Sequence, residues 1–182
     1  MHGEQQAFFR EVREKFPARF NKPVVYDFGS LDINGNNRSL FHKPHYTGID
    51  IVEGKNVDVV GRAHEIKLPG LADICISGEM LEHDVHWQKS LRAMFAWCRP
   101  EGLVMFSCAS RGRPEHGTRR TTPKDSPLTL DYYHNLTQPE IEAAIDLREL
   151  FSEYGFEYNP FPGDLYFWGI RNVMVMPHIP AA

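Results

Sequence analysis

The first candidate site follows an apolar run that ends in an acid. Asp27 closes the run that begins at Val24, and Gly29, Ser30 and further turn-forming residues follow it up to Gly35. This pattern is typical of a buried strand that leads into a backbone-rich turn.

A second apolar run, residues 46–51, carries Asp50 near its end. In a doubly wound parallel sheet, ligands bind at the carboxyl ends of the strands, at the switch point. A carboxylate at the end of the second strand can accept hydrogen bonds from both hydroxyls of a ribose. Asp58 is a weaker alternative for this role. The two strand-end acids together predict a cofactor that contains a nucleoside.

Two histidines are candidates for acid–base chemistry. His83 directly follows Glu82, and a carboxylate beside an imidazole suggests a general base, although His83 could equally brace its loop. His116 lies in a segment that leaves the fifth predicted strand and can close over the site. For His116 the alternative is a solvated loop histidine. Asp84 is interpreted as the cap of the next helix.

Basic residues are concentrated just after the fifth predicted strand. They suit recognition of a phosphate or carboxylate on an acceptor, and a solvated charge run is the alternative. A formal net charge of −4 and a pI near 6.1 argue against a nucleic-acid partner, which normally needs a basic face. The basic residues are Arg111, Arg113, Arg119, Arg120 and Lys124.

The length and composition fit a globular protein with one domain, expected over residues 1–182. The three cysteines have no paired spacing, which favours reduced thiols. The sequence contains no CxxC or HExxH pattern, so no metal site is expected. It also contains no signal-peptide pattern and no apolar run that would cross a bilayer, so we expect a cytoplasmic protein with no membrane partner.

Hydrophobic periodicity predicts alternating strands and helices. An amphipathic helix is expected over residues 5–16, within an N-terminal segment 1–20, and a second helix carries Trp87, Leu91, Phe95 and Cys98 on one face. A capping box at Thr137 starts a third helix that is expected to reach Tyr154 and to end at Gly155. The predicted strands are 24–28, 46–51, 57–60, 72–77 and 103–108, followed by a hairpin of 156–161 and 166–176.

These elements predict a Rossmann-like α/β fold. The sheet is doubly wound and mostly parallel, with helices on both faces and a C-terminal antiparallel hairpin. Residues 110–136 form the one long irregular stretch, and a loop of that length in a compact domain is usually functional. We therefore expect residues 110–136 to act as a lid or acceptor loop.

Four motifs in this order resemble the class I S-adenosylmethionine-dependent methyltransferases over nearly the whole chain. Residues 27–35 resemble a variant of the Gly-rich first motif in a small subgroup that reads D-x-G-S-x-D-x-N-G. Residues 48–51 are similar to the second-strand motif, 73–83 to the fourth-strand motif that often ends in V-L-E-H, and 99–103 to the K-P-G-G turn before the fifth strand.

The resemblance implies S-adenosyl-L-methionine as the cofactor and a small-molecule acceptor. His83 and His116 are the candidate catalytic residues, and an H-G pair like that at His116 is common in the subgroup. Tyr132 and Tyr133 resemble a D-Y-Y/F-R stretch that would wall the acceptor pocket. The implied cofactor-binding residues are Asp27, Gly29, Ser30, Leu31, Asp50, Ile51, Ala63, His64, Gly78, Glu79 and Met80.

The chain departs from the family pattern at two places. Leu31 and Ile33 stand where further glycines are usual, so their side chains must point away from the cofactor. Arg62 stands where many members have an acid that holds the adenine amino group. Because arginine accepts no hydrogen bond, adenine would rely on the backbone of Ala63, or on stacking with Arg62 or His64.

The sequence therefore predicts a methyltransferase that transfers a methyl group to an oxygen or nitrogen of a small-molecule or sugar-like acceptor. One alternative is a degenerate methyltransferase fold that serves as a binding or scaffold subunit. A second alternative, an NAD-dependent oxidoreductase, lacks the G-x-G-x-x-G and Tyr-x-x-x-Lys patterns.

Overall fold

The architecture is a seven-stranded sheet in the order β3-β2-β1-β4-β5-β7-β6. The structure is a computed structural model that describes residues 3–129 and 131–173. The first five strands in the chain run parallel, and β7 pairs antiparallel with both β5 and β6. The strands are β1 Val24–Phe28, β2 His45–Asp50, β3 Val59–Val60, β4 Ala72–Gly78, β5 Cys98–Ala109, β6 Phe151–Asn159 and β7 Asp164–Arg171.

Helices cover both faces of this sheet, because alternate strand residues point in opposite directions and both sets are apolar. On one face, Ile74 and Ile76 of β4 pack in a cluster with Phe9. On the other face, Cys75 packs in a cluster with Leu91. The helices are α1 Gly3–Lys15, α2 Trp87–Trp97, α3 Gln138–Ala144 and α4 Leu147–Leu150. The predicted Rossmann-like fold is confirmed.

The C-terminal part differs from the sequence expectation. The capping box at Thr137 is present, but α3 ends at Ala144. Tyr154 and Gly155 belong to β6, because a strand in that register lets Gly155 face the ring of Trp168, where an added Cβ would lie 2.9 Å from Nε1. The predicted strand 166–176 is shorter, since β7 ends at Arg171, and residues 174–176 lie outside the described residues.

Two smaller expectations were also wrong. Cys98 is the first residue of β5 and not the end of α2. The turn expected at residues 99–102 is present but lies within β5, where these residues form a bulge between the pairs Ala72–Cys98 and Ile74–Leu103 and Glu101 has a φ of +60°. Asp84 is not the N-cap of α2, which is His86. The Asp84 carboxylate instead accepts hydrogen bonds from the backbone N–H of His86 (2.8 Å) and from the Ser90 hydroxyl.

Among the described residues, no helix combines the length and apolar character that crossing a membrane requires.

Candidate functional site

A cleft of about 1110 Å³ opens where the carboxyl ends of β1, β2 and β4 meet. The chain leaves β1 toward β2 on one side and has β4 on the other, so this edge is the switch point of the sheet. We call the wall made by the residues that follow β1, β2, β3 and β4 the strand side. The opposite wall, made by the 3-10 turn Leu81–His83 and residues 110–136, is the loop side.

Every residue that the sequence suggested for cofactor binding lines this cleft, and so do both candidate catalytic histidines. Asp58 does not line the cleft. Its carboxylate pairs with Arg38 at 2.6 Å and accepts the backbone N–H of Gly48 at 2.7 Å. The wall residues come from five separate stretches of the chain: 27–37, 49–51, 61–64, 78–85 and 113–132.

The turn after β1 is fixed by backbone contacts. Gly29 has a φ of +77°, and a Cβ added to it would lie 2.5 Å from the Cβ of Met80. The N–H groups of Gly29 and Ser30 donate to the carbonyl of Ile49 at 2.9 and 3.1 Å. Glycine is therefore required here both for its conformation and for the close approach of β4's end.

Asp50 holds the same turn from β2. Its carboxylate accepts the backbone N–H of Leu31 at 3.0 Å and that of Val52 at 3.1 Å. Burial raises the pKa of this carboxyl, and those backbone donors offset part of the effect. A carboxylate has about four acceptor positions, so Asp50 retains capacity for ligand hydroxyls.

Asp27 is buried at the end of β1, with 1% of its surface exposed. Burial raises its pKa to about 7, although the Tyr46 hydroxyl and the Asn37 amide donate hydrogen bonds to it. Asn37 is also buried on the cleft wall. Sequence reasoning missed Asn37, and its only signal was its place just after the Gly-rich stretch.

Glu79 directly follows β4 and has a left-handed conformation with a φ of +57°. Its carboxylate accepts the Ser107 hydroxyl at 2.9 Å, and Ser107 accepts the buried Gln5 amide at 2.8 Å. Arg113 reaches Glu79 at 3.9 Å and Asp164 at 3.2 Å. This network ties α1, β4, β5 and β7 together behind the cleft, and its members Gln5, Ser107 and Asp164 were not predicted from the sequence.

The loop after β3 supplies Arg62, Ala63 and His64 to the strand side. Ala63 is buried at 8% exposure. His64 lies 3.4 Å from the Ser90 hydroxyl, and its ring packs edge-on against His86 with 4.7 Å between centroids. These contacts hold His64 against α2.

Leu31 and Ile33 both line the cleft, although their side chains were expected to point away from it. Leu31 extends toward Gly54, where an added Cβ would meet its terminal methyl group. Ile33 is 39% exposed at the mouth. Leu31 therefore turns toward a neighbouring loop, while Ile33 contributes an apolar surface to the entrance.

On the loop side, the two candidate histidines are neighbours. The rings of His83 and His116 meet edge-on with 5.0 Å between centroids, and the Tyr133 ring lies 5.5 Å and 5.0 Å from them. Burial, and then the nearby His116, lower the pKa of His83 to about 4, so His83 is neutral near pH 7. Gly117 permits this contact, because a Cβ there would lie 2.6 Å from Cε1 of His83.

Glu82 lies behind the two histidines and is fully buried. Within residues 3–129 and 131–173, neither of its carboxylate oxygens reaches a partner with good hydrogen-bond geometry, and the same holds for Nδ1 of His83. Burial, and then Glu79, raise the pKa of Glu82 well above its usual range.

Three of the five basic residues of the loop are paired with acids, which weighs against a free anion site. Arg113 contacts Asp164 and Glu79, as described above. Arg119 lies 3.4 Å from Asp131, and Arg120 lies 2.8 Å from Glu115. Of the basic residues on the loop, Arg113 and Arg119 line the cleft, whereas Arg111, Arg120 and Lys124 do not.

Comparison with known proteins gives similarity at the level of structure alone. No family model matches the chain, and no curated protein matches its sequence. The 1,6-didemethyltoxoflavin-N1-methyltransferase of Burkholderia thailandensis, solved with S-adenosylhomocysteine, is 16% identical, with a TM-score of 0.61 over 90% of this chain and 76% of that chain.

Two further solved structures have the same architecture. The magnesium protoporphyrin IX methyltransferase of Synechocystis, solved with S-adenosylmethionine, is 12% identical with a TM-score of 0.61, covering 92% of this chain and 79% of that chain. The N-methyltransferase NodS of Bradyrhizobium japonicum is 10% identical with a TM-score of 0.56, covering 93% of this chain and 99% of that chain. At these identities the comparisons establish the fold.

Proposed function

We propose that this chain is a methyltransferase that uses S-adenosyl-L-methionine and acts on an oxygen or nitrogen of a small-molecule acceptor. The observation that carries the proposal is the convergence of Asp27, Asp50 and Met80 on one cleft at the switch point of the sheet. The solved structures that resemble it include methyltransferases bound to S-adenosylmethionine or S-adenosylhomocysteine.

In this proposal the strand side holds the cofactor. Asp50 accepts the ribose hydroxyls with the acceptor positions that Leu31 and Val52 leave open. Asp27 is a buried carboxylate on the cleft wall, and the methionine part of the cofactor carries an ammonium that would compensate its charge. The adenine would lie near Ala63, with His64 held beside it by α2.

The loop side takes the acceptor. Residues 110–136 act as the lid in a single-domain protein, and His83, His116 and Tyr132 face the remaining volume. The cleft exceeds the usual size of a small-molecule pocket, which leaves room for two ligands. The acceptor atom would attack the sulfonium methyl in line, and the thioether leaves without protonation. Alignment and exclusion of water are therefore the main requirements.

Thermal unfolding with S-adenosylhomocysteine tests the proposal. A ligand that binds the native state at a hundredfold excess over its dissociation constant stabilises it by about 2.7 kcal/mol. S-adenosylmethionine should give a comparable shift, and NAD should give none. If neither adenosyl compound moves the midpoint, the methyltransferase proposal is wrong and a non-catalytic role of the fold is favoured.

A further inference from the structure

Three side chains on the loop side form a cluster with the composition of a metal site. One ligand atom each from Glu82, His83 and His116 lies within 4.8 Å of the other two. Glu82 and His83 are adjacent in the chain and precede β5, whereas His116 follows β5. Short metal-binding motifs recognise only ligands that are close together in the chain, so the sequence analysis expected no metal site.

The burial of these groups points to a ligand. Glu82 is 0% exposed and His83 is 6% exposed. Neither oxygen of Glu82 nor Nδ1 of His83 has a partner with good hydrogen-bond geometry in the part of the chain that the structure describes, although the backbone N–H groups of Glu82 and Ala109 lie near the carboxylate. Buried polar atoms are nearly always satisfied, and three poorly satisfied polar atoms in one cluster therefore need an explanation.

The surrounding charges favour a cation at this position. After burial, four acids raise the pKa of the Cys108 thiol, so they lie around one point behind the cleft: Glu82, Glu79, Asp164 and Glu140. Arg113 contacts Glu79 at 3.9 Å and Asp164 at 3.2 Å, and its positive charge is therefore directed at these two acids. A metal ion beside Glu82 would add positive charge among these acids and would bind the Glu82 carboxylate in its deprotonated form.

We infer that Glu82, His83 and His116 bind one divalent transition-metal ion, with Zn²⁺ as the reference ion. Two imidazoles and one carboxylate are a ligand set that Zn²⁺ uses in catalytic sites, whereas Mg²⁺ and Ca²⁺ prefer oxygen ligands alone. The three ligand atoms lie within 4.8 Å of one another, and a tetrahedral ion with ligands at about 2.0–2.1 Å holds them about 3.4 Å apart, so any wider separation would close on binding. His116 lies on the loop and is the group placed to move.

The remaining coordination position faces the cleft, because His83 and His116 line the cleft and Glu82 closes the site from behind. A consequence rests on the proposed function: an acceptor hydroxyl bound there would become more acidic. Its proton would pass to water, its oxygen would form the bond to the methyl carbon, and the carbon–sulfur bond would break with its electron pair going to sulfur.

Titration of the full chain with Zn²⁺ against a chromogenic chelator tests the ion site without any reaction. We expect one tight site, weakened by at least about 100-fold in His116→Ala and in Glu82→Gln, because each removes a ligand. His134→Ala is the matched control, since His134 lies on the same loop but pairs with Glu140 of α3 at 2.9 Å, and its loss should leave the site intact. Mg²⁺ should bind far more weakly.

The visible absorption spectrum of bound Co²⁺ is a second, independent test of the ion site. The wild type should develop the intense visible bands of a low-coordinate Co²⁺ site, and His116→Ala should lose them while its circular dichroism is unchanged. Equal Zn²⁺ affinity in wild type, His116→Ala and Glu82→Gln would overturn the inference. Melting with S-adenosylhomocysteine on the same samples separates the two proposals: stabilisation without Zn²⁺ binding refutes the ion site alone, and Zn²⁺ binding without stabilisation refutes the methyltransferase alone.

Discussion

The two sides of the cleft are built in different ways. On the strand side, the wall residues lie at the ends of parallel strands or in the turns that follow them, and backbone hydrogen bonds such as Gly29 N–H to the Ile49 carbonyl fix the turns. On the loop side, Glu82, His83 and His116 meet only because a long segment returns to the sheet, where the Leu136 N–H donates to the Ala109 carbonyl at 2.9 Å.

The two sides also differ in how well their buried carboxylates are hydrogen-bonded. Asp50 accepts two backbone donors, whereas Glu82 has no partner of good geometry among the described residues. A satisfied carboxylate serves the fold and retains capacity for a ligand, while an orphaned one lowers stability until a ligand arrives. We therefore expect the strand side to have its final structure before any ligand binds. We expect the loop side to reach its final structure only when a ligand binds to Glu82 and its neighbours.

The largest effect expected on the strand side is the pH dependence caused by Asp27. Its folded pKa of about 7 lies above the reference of 3.8, so the folded state binds the proton more tightly. The contribution of this carboxyl to the free energy of unfolding is fully present below pH 3.8. It is lost as the pH rises to about 7, and the loss is at most about 4 kcal/mol. Urea unfolding of wild type and Asp27→Asn at pH 4.5 and pH 8 isolates the effect.

Asp27→Asn keeps an oxygen that accepts from the Tyr46 hydroxyl but cannot ionise. The stability of Asp27→Asn relative to the wild type should therefore increase from pH 4.5 to pH 8. A constant stability difference between the two proteins across this range would show that the Asp27 carboxyl titrates normally.

Alanine at two glycines compares the sides directly. Gly29→Ala combines a φ of +77° with a contact of 2.5 Å to Met80, and it should cost about 3 kcal/mol of stability and abolish S-adenosylhomocysteine binding. Gly117→Ala has a similar φ of +69° and a contact of 2.6 Å to His83. It should lower turnover while the affinity for S-adenosylhomocysteine is retained.

Gly112→Ala is the control for backbone strain alone, because its φ is +79° and an added Cβ would meet nothing within 4 Å. It should cost about 1 kcal/mol and leave both binding and turnover unchanged. If Gly112→Ala were as damaging as Gly29→Ala, strain would account for the loss and the contact with Met80 would be irrelevant.

The catalytic role of the loop side is tested by His116→Ala. Turnover should fall by about 100-fold or more, equivalent to about 2.7 kcal/mol, with unchanged affinity for S-adenosylhomocysteine. His134→Ala should retain turnover, since the His134 ring pairs with Glu140 and does not line the cleft. Equal turnover in His116→Ala and the wild type would remove His116 from the mechanism.

The smallest effect concerns Asp50. Asp50→Ala should weaken S-adenosylhomocysteine binding by about 2 kcal/mol, as measured by calorimetry, because a charge-assisted hydrogen bond is lost. It should also lower stability, since the N–H groups of Leu31 and Val52 lose their acceptor. Asp58→Ala is the control, and a larger loss of affinity there than in Asp50→Ala would transfer the ribose role to Asp58.

The sequence was least informative after residue 144. The run from Ile145 to Gly155 is apolar at helical spacing, yet Phe151 and the residues after it form an edge strand. Periodicity cannot distinguish a helix from a strand when both options bury the same residues. Pairing with β7 decided the outcome, because Phe151 packs on Phe167 across the sheet at 5.3 Å.

The sequence by itself determined the parallel sheet and the turn after β1, because strand-end acids and glycines act through contacts with nearby backbone. It also nominated the residues that line the strand side of the cleft. Tertiary structure alone decided the meeting of Glu82, His83 and His116, and the network from Gln5 to Asp164. His116 lies far from Glu82 and His83 in the chain, as Gln5 does from Asp164, and no local pattern specifies which distant side chains fold to the same place.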